Sequence, residues 1–190
     1  MARSMMNEAD VTADNFGYSG IKRVLIGSDE IRAAVAAQGQ RISDKYRGKP
    51  LLIAGLLTGS FVFAADLCRA VSIPCEIGFM SVSSYGKDTV SSGKVDIRMD
   101  LGRDISGYHV VIAEDIIDTG HTLYEVYRLL KAREPLSLEV VTLLDKPSRR
   151  EVDFNADHSL FTIPDIFVVG YGLDHGEKYR NLPYIAEVSL

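Results

Sequence analysis

Short, largely apolar runs punctuate the chain, and amphipathic stretches separate them. Leu51–Leu57 (LLIAGLL), His109–Ala113 (HVVIA), Leu138–Leu144 (LEVVTLL) and Ile166–Val169 (IFVV) lack a two-residue alternation. Such runs predict strands covered on both faces. Ile31, Val35, Ile42 and Tyr46 share one helical face behind Ser28-Asp29-Glu30. Ser28 is the expected N-cap, the two acids suit the positive end of the helix, and Gly48-Lys49-Pro50 stops it. A second helix follows Thr58-Gly59-Ser60 and runs to about Val71. A third carries Leu123, Val126, Tyr127 and Leu130. Strands alternating with helices predict an α/β fold, a twisted and mainly parallel sheet flanked by helices.

Two features depart from that rhythm. Residues 1–20 read as a loosely ordered arm. Residues 83–94 (SSYGKDTVSSGK) hold little but Ser, Gly and Lys, the composition of a mobile loop. The strands on either side, Pro74–Val82 and the alternating Val95–Leu101, would form a hairpin with that loop at its tip.

The chain has 190 residues, 46% hydrophobic and 25% charged, an ordinary balance for one domain. Its net charge of −5 argues against general nucleic-acid binding. A small anionic substrate needs only local donors and a metal. The two cysteines, Cys68 and Cys75, form no disulfide framework and no metal-ligand spacing, and read as structural thiols in a reducing compartment. No secretory signal is visible, and the longest apolar stretch, 51–65, is broken by Thr58-Gly59-Ser60. It is too short for a membrane span. A cytoplasmic protein without membrane or nucleic-acid partners is expected.

The chemistry concentrates in Val110–Leu123 (VVIAEDIIDTGHTL). An apolar strand ends in Glu114-Asp115, and a turn, Asp118-Thr119-Gly120-His121-Thr122, opens a helix. Ligands of parallel sheets gather at the carboxyl ends of strands, and a turn of this kind offers amides and hydroxyls to phosphate. The two acids suit ribose hydroxyls or a magnesium ion beside that phosphate. Read alone, Asp118-Thr119-Gly120 is a strand–turn–helix junction with Asp118 as cap. The acidic pair before it favours a sugar-phosphate site.

This stretch resembles the phosphoribosyl pyrophosphate signature of type I phosphoribosyltransferases, and its Glu-Asp start is similar to hypoxanthine-guanine phosphoribosyltransferases. The resemblance runs in order through residues 20 to 185. Leu56-Leu57-Thr58-Gly59-Ser60 resembles the pyrophosphate loop, which implies a cis Leu57–Thr58 peptide and backbone amides on the diphosphate. The family usually carries Lys or Arg at Thr58, and often Lys at His121. Ser84-Tyr85 resembles the dipeptide that closes over the site. Lys146, in Leu143-Leu144-Asp145-Lys146-Pro147, matches the lysine that donates to the purine 6-oxo group. Phe167 would stack on the base, the Val168 backbone would line its edge, Asp174 would hold magnesium with Glu114 and Asp115, and Arg180 would reach pyrophosphate.

The resemblance thus implies Mg²⁺-dependent purine salvage. Hypoxanthine or guanine and phosphoribosyl pyrophosphate would give IMP or GMP and pyrophosphate, with Asp118 as general base. It also implies one domain over 1–190, with residues from about 150 to 190 contributing a small hood over the purine, and a homodimer or homotetramer. Two other readings stand beside it: a transferase of the same fold for xanthine or adenine, and an RNA-binding regulator, which the acidic charge disfavours.

Overall fold

The structure is a computed structural model and describes residues 16–83 and 96–189. Its strands are β1 (Ile21–Ile26), β2 (Leu51–Leu57), β3 (Glu76–Ser83), β4 (Asp96–Met99), β5 (His109–Ile117), β6 (Ser137–Asp145), β7 (His158–Thr162), β8 (Val168–Val169) and β9 (Ile185–Val188). Its helices are α1 (Ser28–Lys45), α2 (Phe61–Ala70) and α3 (His121–Lys131). Six strands form one sheet in the order β4-β3-β2-β5-β6-β7, parallel except for β4. A second, antiparallel sheet has the order β1-β9-β8. The α/β fold class read from the sequence is the observed one.

Central β2 and β5 are apolar on both faces because both faces are covered. Ile53, Val111, Val141 and Leu143 pack with Ile31, Val35 and Ile42 of α1 and Phe63 and Leu67 of α2. On the other face, Leu52, Ala54, Ile112 and Val140 pack with Leu123, Val126 and Leu130 of α3. Each such side chain contributes roughly 1.5–3 kcal/mol, so helices sit on both faces and leave the strand ends free for chemistry.

Several local expectations change. Gly27, not Ser28, is the N-cap of α1, and its N–H donates to Glu30 Oε2 at 2.9 Å. The Glu30 carboxylate reaching back, rather than a Ser hydroxyl, satisfies the helix start. β5 continues past Ala113 to Ile117, so the acidic pair lies within a strand. Its pairing with β6 persists to Ile117 and Asp145. Val168 and Val169 belong to the small antiparallel sheet, because they pair with Glu187 and Ala186. His158–Thr162 adds an edge strand to the main sheet. The end of the expected arm is tied down: Tyr18 stacks on Tyr179, with ring centroids 4.4 Å apart, and Ser189 N–H donates to Gly20 O at 2.9 Å. The antiparallel β3–β4 pair of the expected hairpin is present. Its tip, from residue 84 onward, lies outside the described residues. Cys68 and Cys75 are free, with their sulfurs 3.8 Å apart. Among the described residues no helix is long and apolar enough to cross a membrane.

Candidate active site

A cleft of about 250 Å³ opens at the carboxyl ends of β2 and β5. Leu57, Thr58 and Gly59 form one wall, Asp118, Thr119, Gly120 and Thr122 another, and Glu114 and Asp115 lie at its base. Nine of the residues singled out from the sequence thus meet in one place.

Each wall is built to present amides. The Leu57–Thr58 peptide is cis, as the resemblance implied. Ser60 Oγ, buried, donates to Leu56 O at 2.6 Å and pins the loop to its strand. Among the described residues, the N–H groups of Thr58, Gly59 and Ser60 donate to no protein acceptor. The same is true of Thr119 to Thr122, where Gly120 takes a left-handed φ of 90° at the N-terminus of α3. Unspent amides at a helix start are an anion site.

Behind the first wall the packing is tight. A Cβ on Gly59 would lie 1.6 Å from Asp115 Oδ2, and a Cβ on Gly172 (φ +101°) would lie 2.2 Å from Gly59 O. The loop is therefore held between the acidic pair and the Gly170–Leu173 turn, and only glycine fits at both positions.

The acidic pair is electrostatically unusual. Burial, aided by the charge of Asp115, holds Glu114 well above the ordinary carboxylate range. Burial also pushes Asp115 up to about 6, against the pull of the Ile116 N–H and of the Arg180 charge. Asp174 adds to the rise. Neither acid has a cationic partner in contact among the described residues.

Among the described residues, the remaining predicted ones are not in the lining of this cleft. The Lys146 backbone N–H donates to Ile117 O at 3.0 Å. Lys146 as a whole, ammonium included, is 7% exposed. Among the described residues that ammonium has no hydrogen-bond or ion-pair partner. His121 pairs with Glu151 at 2.9 Å. Asp118 Oδ1 accepts from Arg149 Nε at 3.0 Å. Asp174 Oδ1 pairs with Arg180 at 2.9 Å, and Arg180 Nη1 also donates to Gly172 O at 2.8 Å. Phe167 is 39% exposed and meets His175 edge-on at 5.4 Å. Val168 is buried. Ser84 and Tyr85 lie outside the described residues.

Residues 27–175 match the phosphoribosyl transferase domain family. Over 169 residues the chain is 50% identical to the hypoxanthine phosphoribosyltransferase of Salmonella typhimurium, covering 88% of this chain and 95% of that protein. It is 48% identical over 165 residues to the hypoxanthine-guanine phosphoribosyltransferase of Streptococcus pneumoniae, covering 87% and 92%. The chain belongs to the hypoxanthine-guanine phosphoribosyltransferase family. A crystal structure of the hypoxanthine phosphoribosyltransferase from Staphylococcus aureus matches this fold with a TM-score of 0.86 at 44% identity, covering 97% of this chain and 96% of that one.

Membership of this family raises the question of a metal. Among the described residues no three Asp, Glu, His or Cys side chains are grouped to hold an ion. The donor set still fits magnesium, which keeps several waters and takes one or two carboxylates plus substrate phosphates. Two adjacent desolvated carboxylates without a cation are what such an ion would satisfy. Asp174 is engaged by Arg180 and would have to share its carboxylate. Sequence reading missed Arg149 and Arg150. Arg150 Nη1 donates to Asp118 O at 2.7 Å and pairs with Asp145. Their signal was an Arg-Arg-Glu run four residues after a buried strand, which looks the same as a solvated turn.

Proposed function

We propose that the protein joins hypoxanthine or guanine to the ribose of phosphoribosyl pyrophosphate, forming IMP or GMP and pyrophosphate. One observation carries the reading. An acidic pair near the carboxyl end of central β5 shares one cleft with two sets of unspent amides, an arrangement suited to a ribose with phosphate on either side. The amides of Thr119–Thr122 suit the 5′-phosphate. Those of Thr58–Ser60, with Arg180, suit the diphosphate. Glu114 and Asp115 suit the ribose hydroxyls. With Asp174 they would also hold Mg²⁺, whose charge offsets that of the leaving group.

In the reaction the C1–O bond to pyrophosphate breaks ahead of attack, and purine N9 bonds to C1. The N7 proton passes to Asp118, which stands beside the phosphate loop. Lys146 donates to the 6-oxo group, Phe167 stacks on the ring, and the Val168 backbone lines its edge. The Ser84-Tyr85 loop would shelter the reacting sugar from water, with the small sheet as a hood over the purine. A cytoplasmic homodimer or homotetramer completes the proposal. An RNA-binding role finds less support, since the net charge is −5. The test is product analysis. With Mg²⁺, hypoxanthine and phosphoribosyl pyrophosphate, IMP and pyrophosphate should appear in equal amounts. Failure to form either would overturn the reading.

A further inference from the structure

One short segment grips three consecutive carbonyls of the catalytic loop. Ile117 O accepts from Lys146 N at 3.0 Å, Asp118 O from Arg150 Nη1 at 2.7 Å, and Thr119 O from Glu151 N at 3.0 Å. This fixes the main chain of Asp118 and leaves its side-chain torsions to be set. The same segment also reaches the Asp118 side chain, from Arg149 Nε to Asp118 Oδ1 at 3.0 Å. Among the described residues Asp118 Oδ2 has no donor. On its other side the Arg149 guanidinium lies 3.8 Å from Asp165 Oδ2. Asp165 sits in the turn closed by Ile166 N–H to Pro164 O at 2.9 Å, directly before Phe167 and Val168.

We propose that Arg149 is a positioning residue. It occupies one oxygen of Asp118, leaves the other for the purine proton, and through Asp165 sets the distance between that carboxylate and the purine-binding segment. This rests on the function proposed above. The neighbouring charges are committed elsewhere: Arg150 to Asp145 and the Asp118 carbonyl, Glu151 to His121. Arg149 is thus the one cation on the Asp118 side chain among the described residues. A planar guanidinium can serve two carboxylates at once, which an ammonium does with less directional control. The pair is about half exposed, with side chains 47% and 44% accessible, so it adds little to stability. Its loss should therefore be read in kinetics and not in melting.

The experiment is steady-state kinetics and melting of the wild type, Arg149→Gln, Arg149→Lys, Asp165→Asn, Asp118→Asn and the double variant Asp118→Asn/Arg149→Gln. Arg149→Gln should lower kcat by roughly 10–100-fold, leave KM for phosphoribosyl pyrophosphate within about twofold, and shift Tm by no more than about 2 °C. Arg149→Lys should recover part of that rate. Asp165→Asn, which severs only the bridge, should raise KM for hypoxanthine more than it lowers kcat. In the Asp118→Asn background Arg149→Gln should have no further effect, because the two act as one unit. A wild-type kcat in Arg149→Gln, multiplicative losses in the double variant, or a rate loss that tracks a fall in Tm would each overturn the proposal. A wild type that forms no nucleotide would overturn the functional reading and this proposal with it. An active wild type beside an unaltered Arg149→Gln would overturn this proposal alone.

Discussion

Replacing Gly59 with alanine puts one carbon into space occupied by Asp115. The new Cβ would lie 1.6 Å from Oδ2 and 2.7 Å from the carboxylate carbon. Ordinary heavy-atom contacts lie near 3.5 Å, so roughly 2 Å of separation must be found. The loop has little room to retreat, because the Gly59 carbonyl already packs so closely on Gly172 that a Cβ added there would lie 2.2 Å from it. The Asp115 carboxylate must swing instead. Forcing a side chain off its rotamer costs about 0.5–1.5 kcal/mol, which lowers Tm by roughly 1–6 °C in a domain of this size. The kinetic effect should be larger, since a displacement of about 1 Å at a reacting centre can cost ~10²-fold. At saturating hypoxanthine, kcat/KM for phosphoribosyl pyrophosphate should fall at least ~10²-fold, while the protein remains folded at the assay temperature. A Gly59→Ala variant with near wild-type kcat/KM would refute this packing, and a loss explained entirely by unfolding would refute its local character.

Other predictions use the same assays. Asp118→Asn should lower kcat by roughly 10²–10⁴-fold with a smaller change in substrate affinity, and an unchanged kcat would return Asp118 to the helix-cap reading. Lys146→Gln should narrow the gap between hypoxanthine and adenine, because an amide can donate or accept; an untouched gap would remove Lys146 as reader of the 6-position. Asp115 keeps its proton in the fold up to about pH 6, whereas the unfolded chain loses it near pH ~3.9. The unfolded state therefore binds fewer protons between those values, and this group's contribution to stability falls as pH rises through that window. Allowing for partial exposure, Asp115→Asn should be about 1–2 kcal/mol more stable than wild type at pH 7 without metal, measured by urea unfolding. Equal stabilities would contradict the burial cost assigned to the acidic pair.

How much of this was legible in the sequence varies by element. β2, β5 and β6 were readable because burial on both faces leaves largely apolar runs, interrupted in β6 by the buried Glu139 and Thr142, and the acidic pair stood out at the end of the β5 run. β1 was not readable: Lys22 and Arg23 break its pattern, and both pair with Glu187 of β9 across some 165 residues of chain. β7 and β9 are short and draw their order from partners far along the sequence. Leu56-Leu57-Thr58-Gly59-Ser60 stood out by its resemblance to the family's pyrophosphate loop, yet the need for glycine at Gly59 and Gly172 became visible only when the two were seen in contact. Arg149 and Asp165 carry no local pattern that separates them from solvated charges. Their meaning lies in a bridge between two loops, which no local pattern encodes.

The central claim is that the site accepts a 6-oxopurine, and base selectivity tests it most directly. Initial rates with hypoxanthine, guanine, xanthine and adenine should be measured with phosphoribosyl pyrophosphate and Mg²⁺ at one pH. An ammonium has three donors and no acceptor. Adenine would set its amino group against Lys146 and leave a buried charge unpaired, at a cost of about 1–3 kcal/mol or more. Hypoxanthine and guanine should both react, with kcat/KM at least ~10²-fold above that of adenine, and xanthine should be the poorest of the oxopurines. Adenine used as well as hypoxanthine would contradict the claim.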